Sequence, residues 1–404
     1  MNKVLALALG IVTSVGGFLE VGSLATSAQA GAAFGFQLAW AVVLGAVCLI
    51  FLVEMSGRLA AVSRHTICDA VRERFGATFF VIPLVVLALV TLLVLGAEIG
   101  GVCLALQLAT GIGIQWWALP VAFAVWLLLW KATFGVIENG VSLLGLVTVV
   151  FVVGALMLKP SWGDVGRGLL PSMPTREASR YWLLAVGILG ASITPYLFYF
   201  YSSGAVEDEW EEDDLSTNRV VAIVGMSFGA LLAVAVLVVA GLVFHPRGIR
   251  IERYDQMALM LTEPLGFWGF VLFVLSLGIA CFGAALEVSL ALAYLVAQGL
   301  GWNWGENVRP RKAARFATVY TAALLLGALL TAVGVDPLRL TVVAMVLTAA
   351  TLPLAVVPFL IVMNDEHYVG EHVNGWLGNG VVLAVTALAC VLAIVSLPLQ
   401  IFGG

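Results

Sequence analysis

Charge is scarce in this sequence: Asp, Glu, Lys and Arg together supply only 11% of it, well under the roughly 25% of an average soluble domain. No stretch has the composition of a water-soluble domain. The formal net charge is −5, so the broad basic surface of a nucleic-acid-binding protein is also missing, and no nucleic-acid partner is expected. Cysteine is sparse. Cys48, Cys68, Cys103, Cys281 and Cys390 are scattered, four of them inside apolar runs, with no close pair at metal-ligand or redox spacing. They read as small apolar fillers. There is no His-Glu-x-x-His, no nucleophile elbow and no Gly-rich phosphate cradle, which argues against an enzyme and against a resident cofactor.

What the chain has is hydrophobic surface, 62% of its residues. Apolar runs long enough to cross about 30 Å of hydrocarbon fall at 3–27, 34–55, 79–109, 116–133, 136–157, 181–204, 218–244, 265–299, 313–334, 339–363 and 375–402, eleven in all. The runs at 79–109 and 265–299 are long enough to tilt or to project beyond the bilayer. With the amino terminus inside, the cytoplasmic loops hold Arg58, Arg64, Arg72, Arg74, Lys131, Arg309, Arg311, Lys312 and Arg315. The outer loops hold Lys159, Arg167, Arg176, Arg180, Arg247, Arg250 and Arg253. The bias is modest and has the sign of the positive-inside rule, so the expectation is a multi-pass protein of a prokaryotic plasma (inner) membrane with a cytoplasmic amino terminus. Lys3, the apolar run after it and Ser27-Ala28-Gln29-Ala30 resemble a cleavable signal peptide. Glu20 and the glycines interrupt that core, so the segment reads as a discontinuous first helix.

Two of these runs contain helix breakers at mid-membrane depth. One is Gly16-Gly17-Phe18-Leu19-Glu20-Val21-Gly22-Ser23, and the other is Gly190-Ala191-Ser192-Ile193-Thr194-Pro195-Tyr196. Broken helices in corresponding positions of two halves point to a transporter's central site, because unwinding frees carbonyls and helix ends to hold a solute. Gly17, Gly22 and Pro195 mark the breaks. Carboxylates at this depth are expensive unless paired or wet, which makes Glu20 the leading cation ligand. Glu98, among Gly96, Ala97 and Gly100, reads as either a proton-relay group or a buried structural acid. Glu287, after Gly283, Ala284 and Ala285, reads as facing a pathway or a neighbouring helix. Glu54 and Glu138 read as structural, paired with Arg58 and Lys131 or with backbone. The acidic run from Glu207 to Asp214 reads as a solvated cytoplasmic loop, with a cation-attracting vestibule as the alternative. His367 and His372 with Asp365, Glu366 and Glu371 read likewise as solvated loop residues, with a surface metal site as the alternative.

The stretch from Gly17 to Phe36 resembles the first-helix region of the Nramp divalent-metal transporters, in which Asp-Pro-Gly-Asn precedes a similar Ala-Thr and Gln-Ala-Gly. Arg58-Leu59, Glu98, Gly190-Ala191 with Pro195, and Leu352-Pro353 agree with it. The resemblance implies a LeuT-like fold, all-α and polytopic, in a single transmembrane domain over 1–404. Inverted repeats would occupy 3–157 and 181–363, an extra helix 375–402, and the metal would lie between broken helices one and six. It also implies that Glu20 stands where the family has its metal-binding aspartate, Ser23 where it has asparagine and Val21 where it has proline. Ala191 keeps the carbonyl position, Thr194 replaces a methionine, Tyr196 a histidine, Leu95 an acid, and Met345 the tenth-helix glutamine. The implied function is secondary transport of Mg2+ and/or Mn2+, bound as substrate. Oxygen donors suit hard ions, and Thr194 in place of sulfur moves the site that way, while Met345 could restore a sulfur. Tyr196 cannot exchange protons near neutral pH, its reference pKa being about 10, so proton coupling is expected to be weak or absent. The alternatives are a carrier of an organic cation or amino-acid-like solute, with Tyr196, Phe198 and Tyr199 around it, and a non-transporting Nramp-like sensor. The chain is expected to act as a monomer in the lipid bilayer.

Overall fold

In the computed structural model the described residues are 20–131, 146–174, 177–305 and 308–402, with side chains to 396, and they form helices and turns with no strand. The helices are α1 (Val21–Phe34), α2 (Ala39–Ser63), α3 (Ile67–Phe75), α4 (Ala77–Thr110), α5 (Ile114–Lys131), α6 (Val150–Met157), α7 (Trp162–Gly168), α8 (Ala178–Ser192) and α9 (Pro195–Glu207). They continue with α10 (Leu215–Val243), α11 (Tyr254–Met257), α12 (Leu259–Leu265), α13 (Phe267–Gly299), α14 (Ala314–Ala332), α15 (Pro337–Met363), α16 (Glu366–Val369) and α17 (Trp376–Phe402).

Nine stretches of the described residues are long and apolar enough to span a membrane, with α8 and α9 counted together, and a tenth follows if the bent pair 146–157 and 162–168 is one span. Three of the eleven expected runs fall partly outside the described residues: Gly17 with most of 3–27, the last two residues of 116–133, and Glu138 with the first half of 136–157. Two limits move. The first helix continues past residue 27 to Phe34, carried by Ala28, Ala30, Ala32 and Ala33, and stops at Gly35, whose φ of 60° suits a residue without a Cβ and whose N–H caps the Gly31 carbonyl. The second, expected to end at 55, runs to Ser63, so Arg58 lies on a helix rather than in a loop. There it makes the expected pair with Glu54, at 3.1 Å.

The α8–α9 stretch is the most interior of the bundle, with 94% of its most apolar window buried, against 22% for α5. Helix α8 packs on α1, α2, α15 and α17, and α9 packs on α2 and α13. Small residues make this possible. A Cβ on Gly190 would overlap the Met345 carbonyl, so only glycine lets α8 approach α15 this closely. The outer faces of α5, α13 and α17 stay apolar, with Trp116, Phe267, Trp268 and Trp376 exposed near their amino-terminal ends, as suits residues at a membrane boundary. This is a multi-pass membrane protein.

Candidate functional site

The two breaks meet inside the bundle. Helix α1 begins at Glu20, whose extended backbone (φ −95°, ψ 176°) makes it the N-cap residue, and the carboxylate is 1% exposed. A negative group is favoured there by the helix dipole and the unpaired first-turn amides. Across from it α8 stops at Ser192, Ile193 and Thr194 leave helical geometry, and Pro195 opens α9 at its first position. Pro195 has no N–H, so the Ala191 carbonyl, four residues earlier, is denied its helical donor. The carbonyl end of α8 and the buried Thr194 therefore face the same break.

Tyr196, on the first turn of α9, donates its hydroxyl to Glu20 Oε2 and so ties one broken helix to the other. Glu20 Oε1 is buried and has no hydrogen-bond partner among the described residues. It faces a definite neighbour: a Cβ built on Gly22 would stand 2.6 Å from Met345 Sδ and 3.0 Å from Glu20 Oε1. Carboxylate oxygen and thioether sulfur thus converge on the bare Cα of Gly22. The Gly22 carbonyl is occupied, accepting from Thr26 Oγ1 at 2.8 Å. Ser23 is buried one residue further along α1.

Behind this group lies the second carboxylate. Glu98, fully buried on α4, accepts the Val21 N–H at 3.1 Å through Oε1, while its Oε2 has no hydrogen-bond partner among the described residues. Glu98 therefore caps the amino terminus of α1, which accounts for part of its burial. Glu287 on α13 is half-buried and acts electrostatically on both Glu98 and Tyr196. The structure thus assembles Glu20, Ser23, Ala191, Thr194, Tyr196 and Met345 around the breaks, with Glu98 and Glu287 beside them. Gly17 lies outside the described residues.

One neighbour escaped the sequence. Cys281, read as a filler, stands beside Glu98, and its Sγ would lie 2.5 Å from a Cβ on Gly101. The only hint was the Gly100-Gly101 pair, which lets another helix come close to α4.

Elsewhere charged residues of the loops pair at the surface. Within the acidic loop, Glu211 pairs with Arg64 at 2.6 Å, both exposed, and Glu212 lies 3.9 Å from His372. Among the described residues there is no group of three or more His, Cys, Asp or Glu that could hold a metal ion. Of the aromatic run, only Tyr196 turns to Glu20. Phe198 stacks on Phe359, Tyr199 reaches toward the Ala355 carbonyl, and Phe200 and Tyr201 pack on Tyr294 and Trp210.

The fold has relatives among solved structures. A manganese transporter of Eremococcus coleocola, solved with an aromatic bis-isothiourea compound, is 19% identical at a TM-score of 0.74, over 100% of this chain and 89% of the other. The nucleobase-cation-symport-1 family transporter Mhp1, closed with bromovinylhydantoin bound, is 16% identical at 0.64, over 96% and 91%. MhsT in complex with L-phenylalanine is 13% identical at 0.62, over 96% and 97%. These likenesses place the chain in a LeuT-like fold. The family described as natural resistance-associated macrophage protein-like matches residues 10–398, nearly the whole sequence, and the chain therefore belongs to the Nramp family.

Proposed function

We propose that this chain is a secondary transporter of divalent metal cations, working by alternating access, with Glu20 Oε1 as its charged ligand. The observation that carries this is a buried carboxylate oxygen without a hydrogen-bond partner among the described residues, at the junction of two broken helices and near a carbonyl that Pro195 leaves without a helical donor. An uncompensated buried carboxylate costs several kcal/mol, and a cation removes that cost. The Ala191 carbonyl and the hydroxyls of Ser23 and Thr194 are the neutral oxygen ligands of this reading. Met345 Sδ adds one soft donor, which favours Mn2+ over Mg2+, since magnesium gains little from a thioether. Glu98 and Glu287 are pathway acids. The described Eremococcus coleocola relative, named a manganese transporter, fits this cargo.

The reading extends to the halves of the molecule. Repeats over 3–157 and 181–363, with 375–402 added, are supported by the packing of corresponding helices on one another: α2 on α10, α4 on α13 and α5 on α14. The chain acts as a monomer in a prokaryotic plasma membrane with its amino terminus inside, without enzymatic activity and without a cofactor. Proton coupling is weak or absent. Tyr196 is held by Glu20, and Leu95 packs toward Gly327 of α14 as an apolar spacer, 3.4 Å from where a Cβ on that glycine would lie.

Sealed proteoliposomes test all of this together. Saturable Mn2+ uptake exceeding Mg2+ uptake, lost in Glu20→Ala, without matching acidification of the lumen, is the expected result. Uptake that survives in Glu20→Ala would refute the assignment of the site, and proton entry in step with metal would refute the absence of coupling.

A further inference from the structure

The two oxygens of Glu20 have different fates. Oε2 accepts from the Tyr196 hydroxyl, while Oε1 is buried, has no hydrogen-bond partner among the described residues and lies, like Met345 Sδ, beside Gly22. Tyr196 is itself buried on the first turn of α9, just after Pro195, so close packing limits the rotation of its ring. Among the described residues, a cation arriving at the break therefore meets a carboxylate whose Oε1 is open and whose Oε2 already spends one of its two lone-pair sites on the Tyr196 hydroxyl.

That difference bears on which cation is accepted. Ca2+ takes roughly 6–8 oxygen ligands at long, flexible distances and uses both oxygens of a carboxylate readily. Smaller ions such as Mg2+ and Mn2+ take near-octahedral sites, in which one oxygen per carboxylate is enough. We infer that Tyr196 is a specificity-determining positioning residue: by fixing the orientation of Glu20 and drawing on Oε2 it biases the carboxylate toward coordination through Oε1 and so selects against Ca2+. This rests on the reading of the site as a divalent-cation site. Tyr196 acts through Glu20 and does not itself touch the ion.

The test is Mn2+ uptake into proteoliposomes with Ca2+ as competitor, for the wild type, Tyr196→Phe and Glu20→Asp. Phenylalanine keeps the buried ring and removes the donor. Aspartate is shorter by one bond, about 1.5 Å, and loses its reach to the Tyr196 hydroxyl, so it frees the second oxygen by another route. The Ca2+ concentration giving half-inhibition should fall about tenfold in Tyr196→Phe, equal to about 1.4 kcal/mol, with the KM for Mn2+ changing less than about threefold. Glu20→Asp should shift the Ca2+ to Mn2+ ratio in the same direction, and it decides the matter if the phenylalanine variant does not fold. A purely structural role would move uptake of both ions together, not their ratio. Folded variants that take up Mn2+ with an unchanged ratio overturn the inference alone. A wild type without Glu20-dependent Mn2+ uptake overturns the site reading and the inference with it.

Discussion

Replacing Gly190 by alanine should weaken the protein, although alanine is the better helix former. In the structure a Cβ at this position would overlap the Met345 carbonyl oxygen, lie 2.8 Å from the Met345 carbonyl carbon and 3.3 Å from the Ala349 amide nitrogen. All three atoms are backbone, so no side-chain rotation relieves the contact, and α8 and α15 must move apart. Overpacking of this kind costs about 1–3 kcal/mol, while the change from glycine to alanine returns about 1 kcal/mol of helix propensity. The balance is a loss of about 1 kcal/mol, up to about 2. Gly204 is the internal control: it lies on α9, a Cβ there would meet nothing within 4 Å, and only the propensity gain of about 0.5–1 kcal/mol applies. The assay is apparent melting in detergent by a thiol-reactive or intrinsic fluorescence readout, run beside Mn2+ uptake. Gly190→Ala should melt below the wild type and transport less, because Met345 is carried away from Glu20, whereas Gly204→Ala should melt slightly above it. A Gly190→Ala variant that matches or exceeds the wild type in both would show that the approach of α8 to α15 is not what limits this position.

Two further predictions concern polar groups away from the breaks. Arg58 and Glu54 are only 13% and 17% exposed, and Arg58 also donates to the His372 carbonyl and to Asn374 Oδ1 at 2.7 Å. Arg58→Ala should therefore lower stability by about 2 kcal/mol, while Arg64→Ala, which breaks an ion pair 63% and 66% exposed, should change it by less than about 0.5 kcal/mol; equal effects in melting experiments would refute the distinction. Burial holds the Asp69 carboxyl above its ordinary 3.8, although the Thr66 hydroxyl and the Arg72 guanidinium pull the other way. Folded Asp69 thus binds its proton more tightly than unfolded Asp69, and its contribution to stability falls as pH rises from 3.8 through the raised folded value. The melting temperature of the wild type relative to Asp69→Asn should decline across that window, and a rising difference would contradict the sign.

Much of the site was legible because it is built from residues that cannot do what their surroundings ask. Glu20 in an apolar run, Gly22 beside it and Pro195 in the sixth run each disturb a helix locally, and local disturbance is visible in sequence. Glu98 was legible as an anomaly, but its bond to the Val21 amide was not, since that depends on how α4 lies against α1. Met345 could be placed only by a resemblance, because a methionine in an apolar helix carries no signal of its direction. That Cys281 lies beside Glu98 was hidden for the same reason. The helix limits at residues 27 and 55 were set too early: the first helix runs on through small apolar residues to Phe34, and the second continues past its apolar stretch through Arg58, which Glu54 pairs.

Met345 touches both broken segments at once: its sulfur lies against Gly22 of α1, and its carbonyl lies against Gly190 of α8. One residue of α15 is thus wedged between the two breaks. A shift of α1 toward α15 meets the sulfur, and a shift of α8 toward α15 meets the same residue's backbone. Neither segment can move toward α15 without meeting this same residue, so the room available to one break is tied, through a single side chain and its backbone, to the room available to the other.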